Sequence, residues 1–311
     1  MIKINKPKFW DRKIGLISIL FFPLTLIVIF FTSLKKKITK TQGFKIPIIC
    51  VGNIYLGGTG KTPTSILLAK ELSKLGKKPL ILRKYYKNHN DEYRLIKNYF
   101  KNLIISKNRI EGLKDAEKSN FDMVILDDGL QDYKIKKNLS IVCFNNNQLI
   151  GNGMVLPSGP LRENLSILKN VEIVIINGSK NINFENKILN INKKLEIFYS
   201  FYKPINLDQF KNKKLLALAA IGNPENFFQL VEKNNLKIFK KKTFPDHYQF
   251  SKAEMQNILR EAEMKNYQII MTEKDYYKIN HYKLKKINYL KVSLEIYNKE
   301  KLFKKINSLY V

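Results

Sequence analysis

Residues 45–72 read KIPIICVGNIYLGGTGKTPTSILLAKEL, and this stretch decides the fold class. Lys45 to Val51 is a short apolar, β-branched run of the kind that forms a buried strand. The last eight residues, SILLAKEL, bring Ile66, Ala69 and Leu72 to helical spacing. The order is therefore strand, glycine loop, helix. Gly57, Gly58 and Gly60 let backbone N–H groups turn inward around phosphate oxygens, Lys61 supplies a mobile cation for β- and γ-phosphates, and the Thr62 hydroxyl suits a Mg²⁺ ligand. Pro63 falls in the first helical turn, where its missing N–H costs nothing. Tyr55 stands where the strict pattern G-x-x-x-x-G-K-[ST] has glycine. The loop Tyr55, Leu56, Gly57, Gly58, Thr59, Gly60, Lys61, Thr62 is still expected to cradle a nucleotide.

Further along, FDMVILDDGLQ (121–131) is an apolar strand ending in two aspartates, the form expected of a strand whose carboxylate holds Mg²⁺ through its water shell. Asp127 is the first choice of metal partner and Asp128 the second. Arg162 carries the planar fork suited to a phosphate or a developing phosphoryl charge, and Gln131 and Asn53 are candidate polar lining residues.

Apolar runs at 46–51, 79–82, 103–105, 123–126, 141–144 and 171–176, separated by helical or loop segments, predict an α/β fold of the P-loop NTPase type. Its sheet should be mostly parallel, with helices on both faces. The second part of the chain is patterned in the same way. There LLALAAIG is strand-like, Pro224 opens a helix, Ser251 and Glu254 form a capping box, YQIIMTEKD reads as a strand and LFKKINSLY as a closing helix. The expected division is an anchor at 1–40, a P-loop core at 41–200 and a smaller C-terminal α/β domain at 201–311.

From Ile14 to Leu34 the chain runs 21 residues without a charge, about 31 Å as a helix, which predicts an N-terminal membrane helix. Both flanks are basic, with Lys3, Lys6, Lys8, Arg12 and Lys13 before it and Lys35 to Lys37 and Lys40 after it. Two readings follow: one helix that spans the bilayer, or one bent at Pro23 that lies in the interface and keeps both flanks at an anionic surface. The whole chain of 311 residues carries 56 Lys plus Arg against 26 Asp plus Glu, a formal charge of +30, which favours anionic partners: nucleic acid, phospholipid or a phosphorylated substrate. No RNA- or DNA-binding motif accompanies the charge, so nucleic acid is not expected. Two cysteines, Cys50 and Cys143, lie in apolar runs and read as reduced and buried.

Six motifs in order, VGNIYLGGTGKTP (51–63), LDDGLQDYKI (126–135), GNGMVLPSGPLRE (151–163), AIGNPENFF (220–228), FPDHYQF (244–250) and MTEKD (271–275), resemble those of the tetraacyldisaccharide 4′-kinases. The resemblance implies a membrane-bound enzyme that uses ATP and Mg²⁺ to phosphorylate lipid A disaccharide 1-phosphate at the cytoplasmic face of a Gram-negative inner membrane. It implies no obligate protein partner. It also implies that an aspartate and a histidine together accept the proton of the sugar hydroxyl, and Asp91 in HNDEYRL and His247 in FPDHY match those positions, with Glu92 beside the first. A rival reading is a membrane-associated regulatory ATPase of the GGxGKT class; that class carries a lysine before the double glycine, where this chain has Leu56. A GTPase is disfavoured because Thr272-Glu-Lys-Asp is not the [NT]-K-x-D guanine signature.

Overall fold

The computed structural model of the chain describes residues 7–87, 89–246 and 248–308. His247 lies outside them, as do residues 1–6 of the expected anchor. The chain opens with α1 (Leu16–Leu20) and α2 (Phe22–Ile38), then runs β1 (Ile48–Gly52), α3 (Lys61–Lys74), β2 (Pro79–Lys84), α4 (Asn90–Tyr99), β3 (Leu103–Ser106), α5 (Arg109–Lys118), β4 (Met123–Asp127), β5 (Leu139–Asn145), β6 (Ile173–Asn177), α6 (Ile182–Leu189) and β7 (Glu196–Pro204). It continues with β8 (Leu215–Ala219), α7 (Pro224–Lys233), β9 (Ile238–Thr243), α8 (Lys252–Met264), β10 (Gln268–Thr272), α9 (Glu273–Ile279), β11 (Ile287–Leu290), β12 (Val292–Ile296) and α10 (Lys299–Asn307).

Two sheets result, one of order β12-β7-β6-β5-β1-β4-β2-β3 and one of order β11-β10-β8-β9. The pairs from β3 across to β7 are parallel, as are all three pairs of the smaller sheet. The mostly parallel α/β fold expected from the apolar runs is thus present. All residues of β1, β4 and β5 are buried, as a strand covered on both faces must be, which is why they read as continuous apolar runs without alternation. The glycine loop leaves β1 at the point where the chain turns to opposite sides of the sheet, toward β4 and toward β5. In open parallel sheets this switch point is where ligands bind.

Two compact units emerge, each assembled from separate stretches. Of the described residues, those in 7–85, 102–201 and 295–308 form the P-loop unit and those in 86–101 and 202–294 the second. Relative to a simple division near residue 200, α4 joins the second unit and α10 the first. The contacts explain both placements. On α4, Arg94 Nη1 donates to the Tyr277 carbonyl at 3.0 Å and Tyr99 OH to Glu273 Oε2 at 2.7 Å, both on α9. On α10, Lys299 pairs with Glu71 at 2.7 Å and Lys305 with Glu196 at 3.0 Å.

The N-terminal segment corrects the expectation of a helix over 14–34 that spans the bilayer. Among the described residues no helix is long and apolar enough to cross a membrane. The helix breaks at Phe21, which ends α1 and caps α2, because Pro23 in the first turn of α2 has no N–H to continue the earlier helix. The last turn of α2 is occupied by Lys35, Lys36 and Lys37, so its apolar part reaches only about 20 Å at 1.5 Å per residue. The pair is polar inside and apolar outside. Ser18 and Thr25 are buried, while Leu16, Leu20, Phe30 and Phe31 are 86%, 75%, 62% and 61% exposed. Thr25 Oγ1 bonds Ser158 Oγ at 2.8 Å, Asn152 Nδ2 donates to Ser18 Oγ at 3.1 Å, and the indole of buried Trp10 donates to the Pro157 carbonyl at 3.0 Å. This polar seam fastens the segment to the 151–163 stretch of the P-loop unit.

Candidate functional site

The parallel register of β1 with β4 sets Val51 beside Asp127, and that of β2 with β4 sets Arg83 beside Asp127. Strand pairing alone therefore delivers the glycine loop, an aspartate and an arginine to one end of the sheet. Within the loop Gly57 has φ +143° and Gly60 has φ +91°, conformations that a side chain would strain, and Gly60 caps the 14-residue α3. The N-terminus of α3 thus supplies unsatisfied N–H groups and positive potential where Lys61 and Thr62 begin the helix.

Asp127 is fully buried. One of its oxygens accepts from Thr62 Oγ1 at 3.0 Å, the other from Ser65 Oγ at 3.1 Å, and the Arg83 guanidinium pairs with the first while donating to Thr62 Oγ1 at 3.0 Å. Asp128 takes the left-handed conformation, φ +58°, which aims its side chain elsewhere. Its Oδ1 lies 3.0 Å from Arg162 Nη1 and 3.8 Å from Lys61 Nζ, and Arg109 Nη2 donates to its carbonyl at 2.6 Å. Burial opposes ionisation of Asp128, yet the cations Lys61, Arg162, Arg83 and Arg109 outweigh it and hold the carboxyl at about 2. Burial pushes the Lys61 ammonium below its ordinary value, with Asp128 working against that shift. Four cations face Asp127, Asp128 and Asp132 here, a surplus of positive charge suited to a polyphosphate.

The remaining loop residues hold its shape. Asn53 Nδ2 donates to the carbonyls of Tyr55 at 2.6 Å and Gly57 at 3.2 Å, and Gln131 Nε2 donates to the Asn53 carbonyl at 2.9 Å. Tyr55 is buried beneath the loop with its hydroxyl on Asp11 Oδ1 at 2.7 Å, and the Leu56 N–H donates to the Pro160 carbonyl at 2.8 Å. Thr59 is buried, and its Oγ1 has no hydrogen-bond partner among the described residues. An unsatisfied hydroxyl inside a glycine loop, beside a helix N-terminus and a surplus of cations, fits a ligand rich in acceptor oxygens.

Asp91 and Glu92 belong to the second unit, in the first turn of α4. Asp91 is buried, with its Oδ2 3.9 Å from both Lys274 Nζ and Lys278 Nζ of α9; Glu92 pairs with Lys274 at 3.1 Å and with His89 at 3.1 Å. Sequence reasoning missed Ser65, Arg83, Arg109, Lys274 and Lys278. For Ser65 and Arg83 a signal existed: Ser65 lies three residues past Thr62, on the same helical face, and Arg83 ends the apolar run that follows α3.

The depressed Asp128 carboxyl has a consequence for stability. Its folded value of about 2 lies below the ordinary 3.8, so its contribution, roughly 2 kcal/mol, is complete above the unfolded value and is lost as pH falls from about 4 to about 2. Urea unfolding at pH 2–6 should show this loss in the parent chain and a flatter profile in Asp128→Asn.

Comparison with known proteins places the chain among related sequences. The family profile described as Tetraacyldisaccharide-1-P 4′-kinase matches residues 17–310. A tetraacyldisaccharide 4′-kinase of Pelagibacter ubique is 41% identical, covering 99% of this chain and 99% of that protein. One of Rickettsia typhi is 32% identical, covering 98% of this chain and 100% of that protein. Among solved structures, the "apo" form of LpxK from Aquifex aeolicus in complex with ATP superposes with a TM-score of 0.70 over 95% of this chain and 100% of that one; at 22% identity this is a likeness of fold.

Proposed function

The chain belongs to the tetraacyldisaccharide-1-P 4′-kinase family, and from that premise we propose that it transfers the γ-phosphate of ATP to the 4′-hydroxyl of tetraacyldisaccharide 1-phosphate in lipid A biosynthesis. The observation that carries the proposal is the joining of the P-loop Thr62 to Asp127, with Lys61 and Arg162 gathered on Asp128. Relatives that carry the kinase name across 98–99% of this chain disfavour the regulatory-ATPase reading.

In this reading the loop from Tyr55 to Thr62 surrounds the phosphates. The backbone N–H groups and Thr59 face them, and Asn53 and Gln131 keep the loop in its binding shape. Thr62, Asp127 and Asp128 would hold Mg²⁺, which when bound neutralises charge on the β- and γ-phosphates. Lys61 balances the charge that grows on the β/γ bridge as the bond breaks, and Arg162 offers its fork to the transferring phosphoryl oxygens or the sugar phosphate. Asp91, assisted by His247 and with Glu92 beside it, receives the proton of the 4′-hydroxyl. The test is transfer of ³²P from [γ-³²P]ATP to lipid A disaccharide 1-phosphate in mixed micelles. Labelled lipid is expected, and nucleotide hydrolysis without lipid labelling would count against the assignment.

The acceptor's acyl chains belong in a bilayer, so the enzyme must work against an anionic lipid surface, proposed to be the cytoplasmic face of a Gram-negative inner membrane. Support comes from α1 and α2, whose outward residues are apolar and whose flanks carry exposed Arg12, Lys13, Lys35, Lys36 and Lys37. The triple variant Leu16→Glu, Phe30→Glu, Phe31→Glu changes only exposed side chains and spares the Trp10 and Thr25 contacts. It should unfold at the parent's temperature but co-sediment with phosphatidylglycerol vesicles at least about tenfold less, since each buried side chain contributes about 1.5–3 kcal/mol. Undiminished vesicle binding would rule out this surface as the docking face.

A further inference from the structure

One ammonium group, that of Lys274, is shared by three carboxylates: Asp91 Oδ2 at 3.9 Å, Glu92 Oε1 at 3.1 Å and Asp246 Oδ1 at 3.3 Å. The Lys274 side chain is 17% exposed, whereas that of Asp91 is only 1% exposed. One turn on, Lys278 brings a second cation to 3.9 Å from the same Asp91 oxygen. The two lysines are held differently. Lys278 is fixed from below, because its Nζ donates to Asp275 Oδ1 at 2.6 Å and to the Ala220 carbonyl at 2.9 Å. Asp275 is fixed in turn by the cap of α9, where Thr272 Oγ1 accepts from the Asp275 N–H at 3.1 Å and donates to Asp275 Oδ2 at 2.8 Å. Lys274 instead meets its three acids at the rim of the cluster, where its side chain reaches solvent.

A carboxyl as buried as Asp91 would by itself tend to be neutral, and a neutral carboxyl accepts no proton. We propose that Lys274 is a positioning residue for phosphoryl transfer: it holds the Asp91 carboxylate ionised and aimed, with Lys278 as the fixed second cation, and so sets the acid edge of the enzyme's pH range. This rests on the reading of Asp91 as proton acceptor. In the step it serves, the sugar oxygen forms a bond to the γ-phosphorus, the bond from that phosphorus to the β/γ-bridging oxygen breaks to leave ADP, and the hydroxyl proton passes to an Asp91 oxygen. Asp91 is then neutral, yet Lys274 keeps Glu92 and Asp246, so the ammonium is never left without a counter-charge.

Among the described residues, the other charged groups of the cluster come from three parts of the chain. From α4 and its N-cap come Glu92 and His89, which pair with each other. From α9 come Lys274, Lys278, Asp275 held by Lys278, and Glu273, which accepts from the Tyr99 hydroxyl. From the segment after β9 comes Asp246. Without Lys274, Asp91 would still have the Lys278 ammonium at 3.9 Å and Glu92 would still have His89.

The experiment is a pH–rate profile of kcat/KM for ³²P transfer in mixed micelles from pH 5 to 9, with the full chain, K274M, K274R and D91N. In K274M the midpoint of the acid limb should move up by about one pH unit or more, with much of the rate recovered at high pH. In K274R, which keeps the charge, the midpoint should stay within a few tenths. A K274M profile lowered equally at every pH, or a K274R midpoint displaced as far as that of K274M, overturns the proposal. D91N separates the two readings: an active D91N removes the premise and overturns both, whereas an inactive D91N beside an unshifted K274M overturns the role of Lys274 alone. If K274M fails to fold, the ¹³C titration of the Asp91 carboxyl in the unmodified chain decides, and a midpoint above about 7 overturns the proposal.

Discussion

A Lys61→Ala variant is expected to fold as the parent does and to lose about 10³-fold or more in kcat. The rate loss follows from position. Lys61 begins α3 immediately after Gly60 of the glycine loop, and its ammonium lies 3.8 Å from Asp128. Charge that migrates to the β/γ-bridging oxygen in the transition state would lose its nearest mobile cation, and fixed charges of this kind are worth about 10²–10⁵ in phosphoryl and acyl transfer. The fold should survive because burial disfavours the Lys61 ammonium, so its removal relieves a desolvation cost. Asp128 is not stranded, since Arg162 remains 3.0 Å away. Circular dichroism and thermal unfolding should match the parent, and single-turnover ³²P transfer should separate chemistry from nucleotide binding. Near-normal turnover in a correctly folded variant would sink the P-loop mechanism.

How legible the molecule is from its sequence depends on how local each feature is. The strand, loop and helix at 45–72 lie in one short stretch, and the apolar runs that become β1, β2, β4, β5 and β6 are wholly or mostly buried, so composition alone marks them. Strand β9, IFKKKT, is harder to see. It lies at the edge of its sheet, where alternate lysines are tolerated and even useful against mispairing. Strand β7, EIFYSFYKP, mixes half-buried aromatics with polar residues and reads as a boundary.

The membership of α4 and α10 could not be read at all, because it is decided by partners about 175–230 residues away: Glu273 for Tyr99 and Glu71 for Lys299. The same limit hid Lys274 and Lys278, which look like an ordinary charged helix face until α4 is laid against them. The 14–34 run misled in the opposite direction. Its length without charge fits a bilayer, but Pro23 breaks it, and Ser18 and Thr25, lost among apolar neighbours, are the residues that face the protein.

Single alanine substitutions at Asp91 and at His247 should each cost about 10²–10⁴ in kcat, and the double variant should cost little more than the worse single one. The reasoning is that a proton acceptor and the group that assists it form one device, so once either is missing the other has nothing to act on. Independent contributions would multiply instead. The environment of Asp91 gives the single variant a second signature. Removing this carboxylate takes away a counter-charge of Lys278, whose other partners are Asp275 and the Ala220 carbonyl, and one of the three acids around Lys274. Both cations remain paired, so Asp91→Ala should lose most of its activity without unfolding, a separation that thermal melts and rate measurements on the same preparation would reveal. Turnover unchanged in Asp91→Ala would transfer the proton-accepting role to Glu92, which shares Lys274 at 3.1 Å, and Glu92→Gln would then be expected to carry the loss. A double variant whose defect equals the product of the singles would mean that His247 acts on a different step, such as holding the sugar headgroup, and its alanine variant should then raise KM for the lipid more than it lowers kcat.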